Sequence, residues 1–125
     1  MATIDIATED SLLILTVTGS LTANHMLKII LEYYSNKIAK DIIWDLTNGS
    51  MNSISQESFR AIANTAKIAV KDGSRRGCKT VFVGNSDSEQ ASIRLYTIIA
   101  EMTGVPIKYN VFRTIEAARS WISQE

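Results

Sequence analysis

The sequence contains one cysteine, Cys78, and one histidine, His25, among 125 residues. A lone cysteine excludes an internal disulfide framework and a multi-cysteine zinc site, and a lone histidine excludes a multi-histidine metal centre. There is one proline, Pro106, and no Gly/Ser/Pro-rich stretch that could serve as a linker. Net charge is absent too: thirteen Lys and Arg balance thirteen Asp and Glu. That balance leaves no global basic field for nucleic acid or anionic lipid. The longest early apolar run, Leu12 to Val17, is interrupted by Thr16 and is far too short to span a bilayer. The first basic residue is Lys28, so a positively charged secretory leader is not expected. What is present is an ordinary globular composition, 46% apolar and 21% charged. A chain of this length buries roughly two-thirds of its unfolded surface and needs no metal or disulfide staple. The expectation is a single domain over residues 1–125, soluble and cytoplasmic, with no stable membrane insertion and no cofactor.

Hydrophobic periodicity supplies the architecture. Thr3–Ala7 alternates and reads as a strand, Glu9-Asp10 as a turn, and Ser11–Thr18 as a second strand. The connection is too short for a crossover, so these two strands are antiparallel. Thr22 or Asn24 can cap a helix whose apolar face is Leu27, Ile30, Leu31 and Tyr34, with Lys37 and Lys40 toward its C-terminal end. Asp41–Leu46 is a short apolar run that suits a buried strand, and Thr47 to Asn52 reads as loop. Ser53 and Gln56 have capping-box spacing, and Ser55 competes for the cap. Phe59, Ile62, Ala63, Ala66 and Ala69 or Val70 mark the core face of this second helix. Asp72–Gly77 reads as loop, Cys78–Val83 as strand and Gly84–Ser88 as a polar loop with several potential caps. Ala91, Leu95, Ile98 or Ile99, and Met102 form the next helical face, with Gly104 suited to its stop. Ile107–Phe112 is the last strand. Thr114 caps a final helix carrying Ile115, Ala118 and Ile122. The predicted class is α/β: a five-stranded mixed sheet with an antiparallel N-terminal hairpin, the remaining strands largely parallel, and about four helices. Trp44 and Trp121 are both expected to be structural rather than catalytic.

Three segments resemble a known family. Gly19-Ser-Leu-Thr22 resembles its turn into the first helix. Ile42-Ile-Trp-Asp-Leu-Thr47 resembles its strand ending in an aromatic-Asp-Leu signature. Val111–Ile122 resembles its closing strand and helix. This is the SpoIIAA-like family, within the broader STAS fold of bacterial anti-sigma-factor antagonists and sulfate-transporter tails, with a further likeness to lipid-carrying CRAL-TRIO domains. The resemblance implies a non-enzymatic regulatory module that acts by protein–protein contact. In the antagonists an Asp-Ser-Ser-Gly stretch opens the second helix, and its first serine is phosphorylated. The corresponding stretch here is Ser53-Ile54-Ser55. Ile54 stands where that serine would, leaving Ser53 and Ser55 as the phosphorylatable hydroxyls.

The candidate contact residues follow from where ligands meet parallel sheets, beyond the carboxyl ends of the strands. Asp45 and Thr47 end a strand, and Asp45 can either meet a partner or accept backbone N–H bonds that pin the loop. Met51 in the loop, beside Phe59, could roof an apolar pocket. Ser53 and Ser55 open the second helix. Asn85 and Ser86 lie between a strand and a helix, where plain capping competes with anion binding. The spacing there is neither a P-loop nor a dinucleotide fingerprint. No catalytic residues are assigned: one carboxylate without a paired acid, base or metal is not a reaction centre. Lys67, Lys71, Arg75, Arg76 and Lys79 form a local basic cluster around Asp72. Without interleaved aromatics it does not suit nucleic acid. The expected partner is a protein, the alternative a small apolar or lipid ligand held beneath the second helix. Homodimer formation is left open.

Overall fold

The computed structural model describes residues 2–34, 41–70 and 78–124. Its elements run β1 (Thr3–Glu9), β2 (Leu12–Ser20), α1 (Ala23–Ile29), β3 (Asp41–Ser50), α2 (Gln56–Ala69), β4 (Lys79–Val83), α3 (Asp87–Thr103), β5 (Lys108–Phe112) and α4 (Ile115–Ser123). A π-helical turn, Ile30–Tyr34, continues α1. The sheet order is β1-β2-β3-β4-β5. β1 pairs antiparallel with β2, and the other three pairings are parallel. The expected five-stranded mixed sheet with four helices is the fold observed.

The order of strands decides where the helices go. Crossovers of one hand between strands laid down in sequence all fall on one face of the sheet. Accordingly Leu13, Leu15, Val17, Ile42, Trp44, Leu46 and Phe82 share one core with α1, α2 and α3. α4 follows the last strand and is no crossover, so it is free to cover the other face. There Ile43, Val81 and Val83 meet Ala118, flanked by Phe112, Ile115 and Trp121. An aromatic stack links the layers of the larger core. Trp44 lies on Phe82 at 5.9 Å, Phe82 meets Tyr96 at 5.8 Å, and Tyr96 meets Phe59 at 5.5 Å. Trp44 Nε1 donates to the Tyr34 hydroxyl at 3.2 Å.

Hydroxyl side chains start each of the four described α-helices. Thr22, Ser55, Ser86 and Thr114 each accept from the backbone N–H three residues on, satisfying a donor that the helix leaves open. Gly104, at φ 92°, ends α3 in the left-handed region, as its position in the sequence predicts.

Several expectations need correction. β3 continues through Thr47 to Ser50, because β2 is long enough to pair with it as far as Ser20. The buried face of the first helical segment is Met26, Ile29, Ile30 and Tyr34, at i, i+3, i+4 and i+8, while Leu27 is only partly buried against the core and Leu31 is exposed. In α3 the core side is Ile93, Tyr96, Thr97 and Ala100. Of the predicted face only Ile99 is buried, whereas Leu95, Ile98 and Met102 are exposed. α3 carries two apolar stripes of helical period, and periodicity alone does not say which one meets the sheet. Trp44 is buried, but Trp121 is only half-buried. Lys79, read as part of a basic surface, is used inside the fold: Nζ donates to the carbonyls of Trp121 at 2.8 Å and Ile122 at 3.4 Å, and to Gln124 O. Most of that cluster, Lys71, Asp72, Arg75 and Arg76, and the Lys37/Lys40 helix end lie outside the described residues.

Candidate functional site

β3 ends on an irregularity that its own side chains hold. Thr16 pairs with Asp45 and Thr18 with Asn48, so Leu46 and Thr47 together oppose Val17. The extra residue makes a bulge that re-aims the strand end. Asp45 Oδ1 accepts from Thr47 N at 3.0 Å and from Thr47 Oγ1 at 2.6 Å, the local bonding open to a short acidic side chain. The strand then runs close against β2. A Cβ on Gly49 would stand 2.8 Å from Val17 O and 2.9 Å from Val17 Cγ1, which leaves glycine as the residue that fits.

The neighbouring strand ends are tied to this one. Asn85 Nδ2 donates to Thr47 O at 3.2 Å. Gly84 N donates to Phe112 O at 3.0 Å, and Gln90 Nε2 bridges the carbonyls of Gly84 and Phe112 at 2.5 and 3.0 Å. Glu89, buried in the first turn of α3, accepts from Met51 N at 3.1 Å across 38 residues of chain. Asn52 Nδ2 donates to Ser88 Oγ at 2.8 Å, and Ser92 Oγ donates to Asn52 Oδ1. Arg113 pairs with Asp87 at the rim, both well exposed, a pairing that adds little stability in water.

Asp45, Thr47, Asn85 and Ser86 therefore converge at the carboxyl ends of β3 and β4. Asp45 pins the bulge of β3 through Thr47, and Ser86 Oγ caps α3 by accepting from Glu89 N at 3.1 Å. Met51 is fully buried and Phe59 nearly so, which corrects the expectation that Met51 is exposed as a roof: Glu89 draws the Met51 backbone inward and its side chain joins the main core. The helix start is corrected as well. Ser55 is the cap of α2, accepting from Ser58 N at 3.1 Å, whereas Ser53 lies outside the helix with Oγ 3.5 Å from Leu21 O. The capping-box spacing of Ser53 and Gln56 is coincidental. Ser53 and Ser55 are both exposed.

Glu89, Gln90, Asn52 and Ser92 were not singled out in the sequence. Ser86 and Glu89 do have capping-box spacing, which marks the α3 start. Nothing local shows that the carboxylate reaches Met51. Chemically, the polar groups here are spent on one another and on the backbone, so the arrangement fixes the shape of an exposed polar surface. Burial holds the Tyr96 and Tyr109 phenols well above their ordinary pKa, so neither serves as a base near neutrality. Among the described residues no group of three or more His, Cys, Asp or Glu could hold a metal ion, and no helix is long and apolar enough to cross a membrane.

Open grooves flank the helical layer. One, of about 350 Å³, lies between α2 and α3, with Gln56, Arg60 and Asn64 on one lip and Leu95, Ile98 and Met102 on the other. The second, of about 270 Å³, lies between β1 and α1 and includes Ile4, Ile6, His25 and Glu32.

No family model matches the chain, and no curated protein matches it. Among solved structures it is similar to an uncharacterized protein of the DUF3478 family from Shewanella loihica PV-4, whose crystal structure is described as having a SpoIIAA-like fold. The two are 17% identical, the match covers 97% of this chain and 93% of that one, and the TM-score is 0.53. With its five-stranded mixed sheet and four helices among the described residues, the chain has a SpoIIAA-like fold.

Proposed function

We propose that this domain is a non-enzymatic regulatory module that binds a protein partner through the exposed residues of the segment from Thr47 to the first turn of α2, together with Asn85 and Ser86. The observation that carries this reading is the bracing of an exposed polar loop. Thr47, Asn52, Ser53 and Ser55 are exposed, yet the backbone beneath them is held by Asp45, Asn85 and the buried Glu89. A surface already ordered loses little entropy on binding, which favours recognition by contact. The space beneath α2 is filled by Phe59, Tyr96, Phe82 and Trp44 in direct ring contact. That packing favours a protein partner over an apolar ligand carried under the helix.

The test is affinity capture from the native host with the wild-type domain and a Ser53→Arg/Gln56→Arg variant matched in melting temperature. Both positions are exposed, so folding should be unaffected. A protein retained by the wild type and lost from the variant supports the reading. Equal retention by both, or a lipid-sized adduct as the bound species, refutes it.

A further inference from the structure

The solvent-facing side of α3 carries a pattern that its own core side does not need. Ala91, Leu95, Ile98 and Met102 recur at spacings of four, three and four, the a/d spacing of a helix–helix seam. Leu95 is 38% exposed, Ile98 53% and Met102 82%. Three large apolar side chains in a row on one helix are not the scattered exposure that every surface shows. The flank beside the seam carries Arg94 and Glu101, seven residues apart and so on one side of the helix. Both are exposed, and neither belongs to an ion pair among the described residues.

We propose that α3 is a self-association surface, pairing antiparallel with α3 of a second copy of this chain about a two-fold axis near Tyr96–Thr97. In that register Leu95 faces Ile98 of the second copy and Ala91 faces its Met102, so each a position meets a d position. The same rotation brings Arg94 beside Glu101 of the second copy, and Glu101 beside its Arg94. The occupant follows from this charge complementarity. One Arg and one Glu on the same flank are complementary to themselves when the helix is reversed, and a two-fold interface requires that self-complementarity. α3 has 17 residues and is about 25 Å long. A seam of that length, with the lips of the α2–α3 groove beside it, buries less than the ~800 Å² per partner of a standard interface. The dimer is therefore reversible and concentration-dependent. The groove shares Gln56 with the segment proposed to bind a partner, but Leu95, Ile98 and Met102 lie outside that segment, so either reading can fail alone.

Sedimentation-equilibrium measurements over about 1 to 500 μM test this, a range that brackets weak self-association. The wild type should pass from monomer to dimer. Leu95→Glu and Ile98→Glu, at exposed positions, should remain monomeric throughout with unchanged circular dichroism. Arg94→Glu and Glu101→Arg each set like charges together twice by symmetry and should weaken dimerisation about tenfold. The double variant Arg94→Glu/Glu101→Arg re-forms both pairs and should return to within about threefold of the wild type. A wild type that stays monomeric across the range, or a dimer unmoved by Leu95→Glu and Ile98→Glu, overturns the proposal. So does a double charge reversal no better than its parents.

Discussion

Replacing Glu89 with alanine removes the one carboxylate that joins the β3–α2 loop to the start of α3. Two effects add. The buried Met51 N–H loses its acceptor at 3.1 Å, and an unsatisfied buried donor costs about 1–3 kcal/mol. The site lies in the first turn of α3, where an acidic group contributes about 0.3–1 kcal/mol against the helix dipole. The expected loss is about 2–3 kcal/mol. For a domain of this size that lowers Tm by roughly 10 °C. Glu89→Gln keeps an acceptor oxygen and loses the charge, so it should cost about half as much. Urea denaturation monitored by circular dichroism measures both, and hydrogen exchange reports the Met51 amide directly. A Glu89→Ala domain within about 0.5 kcal/mol of wild type, or a Met51 amide still protected in it, would refute the reasoning.

Ser55→Ala should cost about 1 kcal/mol as a lost helix cap, while Ser53→Ala should change stability by less than about 0.5 kcal/mol; equal losses in thermal melts would contradict the assignment of the cap. Trp44→Ala should cost about 4 kcal/mol because the ring is fully buried and its N–H is bonded. Trp121→Ala, half-buried against Phe112 under Lys79, should cost only ~1.5 kcal/mol, and the two should differ clearly in denaturant midpoint. The Glu9 carboxyl is held below its ordinary value of 4.5 by hydrogen bonds from Arg119. Its folded-state pKa is the lower one, so the stabilisation is present above the ordinary value and is lost as pH falls through the lowered one. The stability difference between wild type and Glu9→Gln should therefore be present at neutral pH and shrink steadily below about pH 4; a difference that grows on acidification would contradict it.

The fold was legible because its signals are local. Alternation in β1 and β2, the apolar run at Ile42–Leu46 and the Ser/Thr caps each act within a few residues. The α2 core face was legible because its opposite side is polar at Gln56, Arg60 and Asn64, so only one stripe could face inward. α3 offered two stripes, and the choice between them depends on Tyr96 meeting Phe82 and Phe59, contacts that sequence spacing does not encode. The candidate site divides in the same way. Asp45 bonding Thr47 is a two-residue event and could be anticipated. Glu89 reaching Met51 spans 38 residues, and it turns a loop methionine that looked exposed into a core residue. Ser53 and Ser55 were ambiguous because each has a residue at capping spacing three positions on in the sequence, and the structure gives the cap to Ser55 while Ser53 Oγ turns to Leu21 O.

The proposed role of this domain is protein contact at the carboxyl ends of its strands. Hydrogen-exchange mass spectrometry of the domain, alone and with the protein captured by the wild type, tests it most directly. Added protection is expected only at residues 47–59 and 84–88, with no change on the α4 face. Protection that spares both segments, or that appears only on the exposed side of α3, would contradict it.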